Sequence, residues 1–252
     1  MKVVILAGGT GTRLSEETHI IPKALVEIGG TPIILHLMKY YSSYGYKDFV
    51  VCLGYKGHMI KDFFKLAALN ENNFENLKKN SSKKIHYKDW KINLINTGKN
   101  SLTGTRIRRI KKYVTDEFFL NYCDGLSNID IHKTYKTFKR SKKIGLVSSI
   151  NPKSRFGVLA IDQNNIVKQF NEKIRNKTTW INAGFFIFKK EIFKFIKGKN
   201  SVFEQKPLSN LAKKNQLIAY KHKGFWQCMD TYKDKIVLNK IWKKRNPPWK
   251  NW

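Results

Sequence analysis

Acidic residues are scarce in this chain of 252 residues: 18 Asp and Glu stand against 49 Lys and Arg, for a formal net charge of +31. Cysteine is scarcer still. Cys52, Cys123 and Cys228 lie far apart with no Cys-x-x-Cys, so neither a disulfide framework nor a thiolate zinc site is implied, and a reducing cytoplasm fits. Long apolar runs are missing: nothing approaches the roughly 18 consecutive apolar residues of a membrane helix. The apolar run that follows Lys2 is too brief for a signal peptide. Arginine is also rare, at eight of the 49 basic residues, whereas base and phosphate readers favour its forked guanidinium. Lysine is spread along the whole chain with much Asn, Ile, Phe and Tyr. The surplus charge therefore reads as compositional drift, with a basic nucleic-acid-binding protein as the alternative from another class.

What is present is a globular composition, 41% hydrophobic and 27% charged, which argues against a disordered or fibrous chain. Val3 to Leu6, Phe49 to Leu53, Ile92 to Ile95, Phe118 to Tyr122 and Gly145 to Ile150 read as strands, and helical patterns lie between them. The clearest helix is predicted to begin with Thr31 as N-cap and Pro32 as its first residue, and to stop at Gly45. Another runs from Asp130 through Phe138, and the last spans about Thr231 to Lys243. Strands alternating with helices and buried on both faces point to a parallel, doubly wound α/β sheet. From about residue 155 the strands come closer together, at Val158 to Ile161, Ile166 to Phe170, Ile181 to Phe188 and Phe225 to Met229. No Pro/Gly/Ser linker separates the halves, so residues 1–252 read as one domain with a nucleotide-binding half, 1–150, and a sugar-binding, β-rich C-terminal half, 151–252. Asn70 to Lys84 reads as a polar surface excursion, and Asn246 to Trp252 as an aromatic tail docked on the body or on a neighbour.

The first strand runs into Leu6-Ala7-Gly8-Gly9-Thr10-Gly11-Thr12-Arg13-Leu14. Such a loop bares amide N–H groups for phosphates or a flat base. It is not the dinucleotide fingerprint, which needs glycine where Leu14 stands, nor a Walker A loop, because no Gly-Lys-Ser/Thr follows; a plain tight βα turn is the alternative. Arg13 ends the loop, and ten residues on Pro22 precedes Lys23. A guanidinium and an ammonium converging on one glycine loop would supply a fork and a point charge for a triphosphate.

L-A-G-G-T-G-T-R-L followed by P-K-A-L resembles the signature of the sugar-1-phosphate nucleotidylyltransferases. Within that family, further strings resemble the glucose-1-phosphate cytidylyltransferases: T-G-T-R from Thr103, D-G from Asp124, R-F-G from Arg155, N-E-K from Asn171, I-N-A-G-F-F from Ile181, F-W-Q-C-M-D-T from Phe225 and the terminal P-W-K-N-W. The resemblance covers nearly the whole chain. It implies a Rossmann-like doubly wound mixed sheet and a cytoplasmic homo-oligomer, possibly a hexamer. The implied reaction is Mg²⁺-dependent transfer of CMP from CTP to glucose 1-phosphate, giving CDP-glucose and pyrophosphate and feeding CDP-deoxysugars of O-antigen polysaccharide. No nucleic-acid or membrane partner is implied. A uridylyl- or thymidylyltransferase is the alternative within the class.

Carried over residue by residue, the resemblance implies that Leu6, Ala7, Gly8, Gly9 and Thr10 hold the nucleotide. Gly11, Thr12 and Arg13 would meet its phosphates, and Lys23 the phosphates near the reacting centre, with Arg13 and Lys23 the catalytic cations. Ser101, Arg106 and Cys123 match further nucleotide positions, Ser101 in place of a Thr. Read alone, Arg106 with Arg108 and Arg109 would be a solvated helix face. Asp124 and Asp230 would hold Mg²⁺, and Glu172, Lys173 and Asn182 the sugar. Ala24 replaces a proline, Cys123 a glycine and Cys228 a proline of the family pattern; both thiols are expected as small packing residues, because Mg²⁺ avoids thiolates.

Overall fold

The computed structural model describes residues 1–70, 84–152, 158–171 and 179–252. The chain begins with β1 (Lys2–Ala7), the glycine loop, a 3₁₀ turn (Thr12–Leu14) and one helical turn, α1 (Ser15–Thr18). A second 3₁₀ turn (Lys23–Leu25) leads to β2 (Glu27–Ile28), β3 (Thr31–Pro32), α2 (Ile33–Ser43), β4 (Asp48–Leu53), α3 (Gly57–Leu69), β5 (Lys84–Tyr87) and β6 (Trp90–Asn96). Then come α4 (Thr103–Arg109), β7 (Glu117–Tyr122), β8 (Gly125–Ser127), α5 (Ile131–Ser141) and β9 (Gly145–Ile150). The remainder supplies β10 (Val158–Ile161), β11 (Val167–Asn171), β12 (Ile181–Lys189), α6 (Lys206–Lys213), β13 (Leu217–His222), β14 (Trp226–Cys228) and α7 (Tyr232–Trp242).

Eight strands form one mixed sheet in the order β13-β9-β12-β7-β1-β4-β6-β5. Its centre, β7-β1-β4-β6, is parallel; β12 runs antiparallel between β7 and β9, and β5 is antiparallel at the far edge. This is the doubly wound mixed sheet that the resemblance implied; the parallel sheet read from the alternation of strands and helices holds at the centre and is corrected by the antiparallel β12 and β5. β1 shows why both faces are covered. Val3 and Ile5 pack with Met38 and Tyr41 of α2 and Phe64 of α3, whereas Val4 and Leu6 pack with Ile107 of α4 and Leu211 of α6. Successive side chains point to opposite faces, so a strand apolar at every position must be sandwiched.

The expected start of α2 is corrected. Thr31 and Pro32 pair with Ile28 and Glu27 as strands, and the helix begins at Ile33. Gly29 and Gly30, at φ 60° and 72°, turn the chain back on itself there. That conformation suits glycine, and it leaves Thr31 committed to the ladder rather than to a cap. Asp130 does cap α5, accepting from Lys133 N at 2.8 Å. The second strand of the C-terminal half, β11, begins one residue later than expected, at Val167.

A third apolar cluster joins Leu14, Val26 and Ile28 near the glycine loop to Met229, Leu238 and Trp249. The aromatic tail is therefore docked on the body: Trp249 is buried, stacks on Phe225 and Trp242, and donates its indole N–H to His36 Nδ1 at 3.3 Å. His36 Nε2 donates in turn to Ile28 O at 2.8 Å. An indole only donates and a carbonyl only accepts, which fixes the imidazole as the neutral Nε2–H form.

Candidate active site

A cleft of about 570 Å³ opens at the carboxyl ends of β1 and β7, where open α/β sheets bind ligands. Its walls are the loop from Leu6 to Arg13, Lys23, the segment from Lys99 to Thr103, and residues Tyr122 to Asp124. The loop is held open by close backbone approaches. A Cβ on Gly8 would lie 2.6 Å from Arg106 Cζ and 2.9 Å from Gly54 N, and one on Gly11, at φ 67°, would lie 2.7 Å from Thr18 Cγ2. Thr18 is buried below, its hydroxyl 3.0 Å from Gly11 O and 2.9 Å from Leu14 O.

Arg106 is not a solvated helix face: it is 4% exposed. Its Nη2 donates to Gly8 O at 2.7 Å and to Lys99 O at 3.1 Å, and its Nη1 to Gly98 O at 2.7 Å and to Thr97 Oγ1 at 3.0 Å. One guanidinium thus ties the glycine loop to the opposite wall of the cleft. Burial lowers its pKa from the usual arginine value. Arg109 supports the same wall, donating to Thr97 O at 2.6 Å and to Ser101 Oγ at 3.0 Å.

Lys23 follows Pro22, which stands at φ −66° and ψ 145° before the 3₁₀ turn. Its ammonium donates to Asp124 Oδ2 at 2.5 Å and Asp230 Oδ1 at 2.8 Å. Arg13 Nη1 lies 2.9 Å from the other oxygen of Asp230. Arg13 is 72% exposed whereas Lys23 is 12% exposed, so Lys23 is the tightly held cation and Arg13 the one free to follow a ligand. Burial would lower the Lys23 pKa, but the carboxylates of Asp124 and Asp230 outweigh it and hold the ammonium above the usual lysine value.

Two distant segments bring these carboxylates together. Asp124 lies just past β7, and Asp230 just past β14. Antiparallel pairing of β14 with β8 sets Cys228 against Gly125, and Met229 N donates to Asp124 O at 2.9 Å. Asp234, in the first turn of α7, then fixes the Asp230 backbone: its Oδ2 accepts from Asp230 N at 3.1 Å and from Thr231 N at 2.9 Å. Thr231 and Asp234 form a reciprocal capping box.

A single cation, the Lys23 ammonium, touches an oxygen of each aspartate, so the pair is spaced for one bridging cation. Among the described residues no group of three or more His, Cys, Asp or Glu is placed to hold a metal. Two carboxylates completed by water and phosphate oxygens match the requirement of Mg²⁺. Burial, reinforced by the aspartates, pushes both Cys123 and Cys228 up to about 12. As neutral thiols they pack beside the carboxylates, as the sequence implied.

The nucleotide positions inferred from the sequence, from Leu6 to Arg13 with Lys23, Ser101, Arg106 and Cys123, line one cleft together with Asp124. Asn182 stands at the start of β12, its Nδ2 3.4 Å from Tyr122 Oη. Glu172 and Lys173 lie outside the described residues, as do Arg155 and most of the polar excursion. Two contributors were missed from sequence: Glu204, a carboxylate in the cleft wall, and Asp234, whose Thr-x-x-Asp spacing from Thr231 was a legible signal.

A family model described as nucleotidyl transferase matches residues 2–236. The chain belongs to the nucleotidyl transferase family. Glucose-1-phosphate cytidylyltransferase of Salmonella typhi is 42% identical to it over 257 aligned positions, covering 100% of each chain. Among solved structures, HddC from Yersinia pseudotuberculosis superposes with a TM-score of 0.65 at 27% identity, over 96% of this chain and 99% of that one. A UDP-glucose pyrophosphorylase complexed with UDP-glucose reaches 0.69 at 19% identity, over 97% and 99%, and so shares the fold. In this nucleotidyltransferase no described helix is long and apolar enough to cross a membrane.

Proposed function

We propose that the enzyme transfers CMP from CTP to α-D-glucose 1-phosphate, giving CDP-glucose and pyrophosphate. The observation that carries this reading is the chain Arg13–Asp230–Lys23–Asp124 at the end of the glycine-loop cleft; full-length similarity to a glucose-1-phosphate cytidylyltransferase supports the choice of substrates. A phosphate oxygen of the sugar phosphate attacks the α-phosphorus in line. A new P–O bond forms as the bond from the α-phosphorus to the oxygen bridging to the β-phosphorus breaks, and that electron pair leaves with pyrophosphate. The nucleophile is already ionised at neutral pH, so no general base is required.

The barrier is one of placing anions together, and the residues answer it by position and charge. Loop amides and Arg13 meet the triphosphate, Lys23 the phosphates at the reacting centre, and Asn182, with Glu172 and Lys173, the hexose. Asp124 and Asp230 would hold a divalent cation, Mg²⁺ by the chemistry of the donor set. When bound, it supplies Lewis-acid neutralisation of phosphate oxygens. The test is pyrophosphate release from glucose 1-phosphate with CTP, UTP, dTTP or GTP in the presence of Mg²⁺. Release with CTP is expected; none with CTP would sink the reading, and preference for UTP or dTTP would move it within the class.

A further inference from the structure

Glu204 stands in the wall of the same cleft. Its two carboxylate oxygens each accept one short hydrogen bond, Oε1 from Tyr122 Oη at 2.5 Å and Oε2 from Thr103 Oγ1 at 2.6 Å. The segment carrying it is laced to the start of α4: Thr105 N donates to Ser201 O at 3.2 Å, Ser201 N to Thr105 Oγ1 at 3.1 Å, and Phe203 N to Thr103 Oγ1 at 2.9 Å. Gly104 permits the approach, because a Cβ there would lie 2.8 Å from Ser201 O. Ser201 and Phe203 are buried, whereas Glu204 is exposed. A carboxylate only accepts, so the Tyr122 hydroxyl is the donor in this bond.

An exposed carboxylate gripped from two sides closes no core. Each of its oxygens offers two acceptor positions and uses one, which leaves a matched pair, one per oxygen. Two hydroxyls on adjacent carbons fit such a pair. An exocyclic amine directs one N–H along a given edge of a base, and a phosphate is repelled. We propose that Glu204 accepts hydrogen bonds from a vicinal diol of a bound substrate and acts as a specificity-determining residue. This rests on the reading above, in which the ribose of the nucleotide and the hexose of the sugar phosphate both carry such diols. Both remain candidates because Thr103 adjoins the Ser101 wall, whereas Tyr122 adjoins Asn182.

The experiment compares kcat/KM for CTP with its 2′-deoxy and 3′-deoxy analogues, and for glucose 1-phosphate with its 2-, 3- and 4-deoxy analogues, in wild type and Glu204→Gln. In wild type, loss of the matching hydroxyl is expected to cost about 10- to 100-fold, as for hydrogen bonds to a charged group. In Glu204→Gln that penalty should shrink to about threefold or less for one substrate only, which names the source of the diol. Tyr122→Phe, which frees Oε1 but keeps the carboxylate, should shift the same ratio part-way and serves if Glu204→Gln does not fold. Unchanged ratios in both variants would show that Glu204 only tethers its segment and would overturn the proposal, as would a change confined to CTP against UTP. Absence of wild-type turnover would instead overturn the substrate reading, and the proposal with it.

Discussion

Gly8 O accepts the Nη2–H of Arg106 at 2.7 Å, so the first peptide of the glycine loop hangs from a helix almost a hundred residues further along the chain. The same guanidinium holds Gly98 O and Lys99 O across the cleft. Cleft width is therefore set by a side chain whose hydrogen bonds join the two walls.

Arg106→Gln should be among the more damaging single changes. It strands several buried acceptors, each worth on the order of 1–3 kcal/mol, so a stability loss of about 3 kcal/mol is expected by denaturant titration. The surviving folded enzyme should show a raised KM for nucleotide with a smaller change in kcat. Arg106→Lys should recover little, because one ammonium cannot span both walls.

The aromatic cluster under the tail predicts an acid limit to stability. Burial, with the nearby Lys39 charge assisting, pushes the His36 imidazole down to about 4 from the ordinary 6.5. The unfolded chain thus binds a proton that the folded chain refuses over that window. Stability contributed by neutral His36 is fully present above pH 6.5 and is lost as pH falls towards 4, at no more than about 1.4 kcal/mol per pH unit. His36→Gln should lower stability at pH 7 yet flatten this slope, as read by thermal melting between pH 4 and 8.

The central strands were legible because parallel strands buried on both faces must be apolar at every position, as in Val3 to Leu6 and Phe49 to Leu53. The edge strands β5 and β13 escaped because half-exposed edges carry Lys84, His86, Lys221 and His222 and break the apolar run. The glycine loop and its two cations were legible as a local string. Glu204 was not: what marks it is the company of Tyr122 and Thr103, brought together only by the fold. Arg106 was legible only through the resemblance, since three arginines in four positions otherwise look solvated until the carbonyls they meet are in place.

Trp249 is expected to be the anchor of the C-terminal tail. It is 1% exposed, and it packs beside Met229, the residue before Asp230. Trp249→Ala should cost roughly 3–5 kcal/mol, the usual range for emptying a large aromatic site. Because the cavity opens behind the Asp230 strand end, turnover should fall together with the melting temperature. A fall in stability with full turnover at low temperature would separate the tail from the site.

Asp124→Asn and Asp230→Asn test the carboxylate pair with almost no change of shape. Each removes one anion from a group in which Lys23 bridges both and Arg13 meets Asp230 alone. The fold should survive, because Lys23 retains one carboxylate and the β8–β14 pairing is made by backbone. Turnover should fall by about 10²- to 10⁴-fold, the effect of losing several kcal/mol of charge stabilisation at the transferring phosphorus. A second readout separates cation binding from catalysis: millimolar Mg²⁺ or Mn²⁺ with nucleotide should raise the melting temperature of the wild type by mass action and leave that of either variant nearly unmoved. Near-normal turnover, or an undiminished thermal shift in both variants, would contradict the assignment of Asp124 and Asp230 as the cation-holding pair.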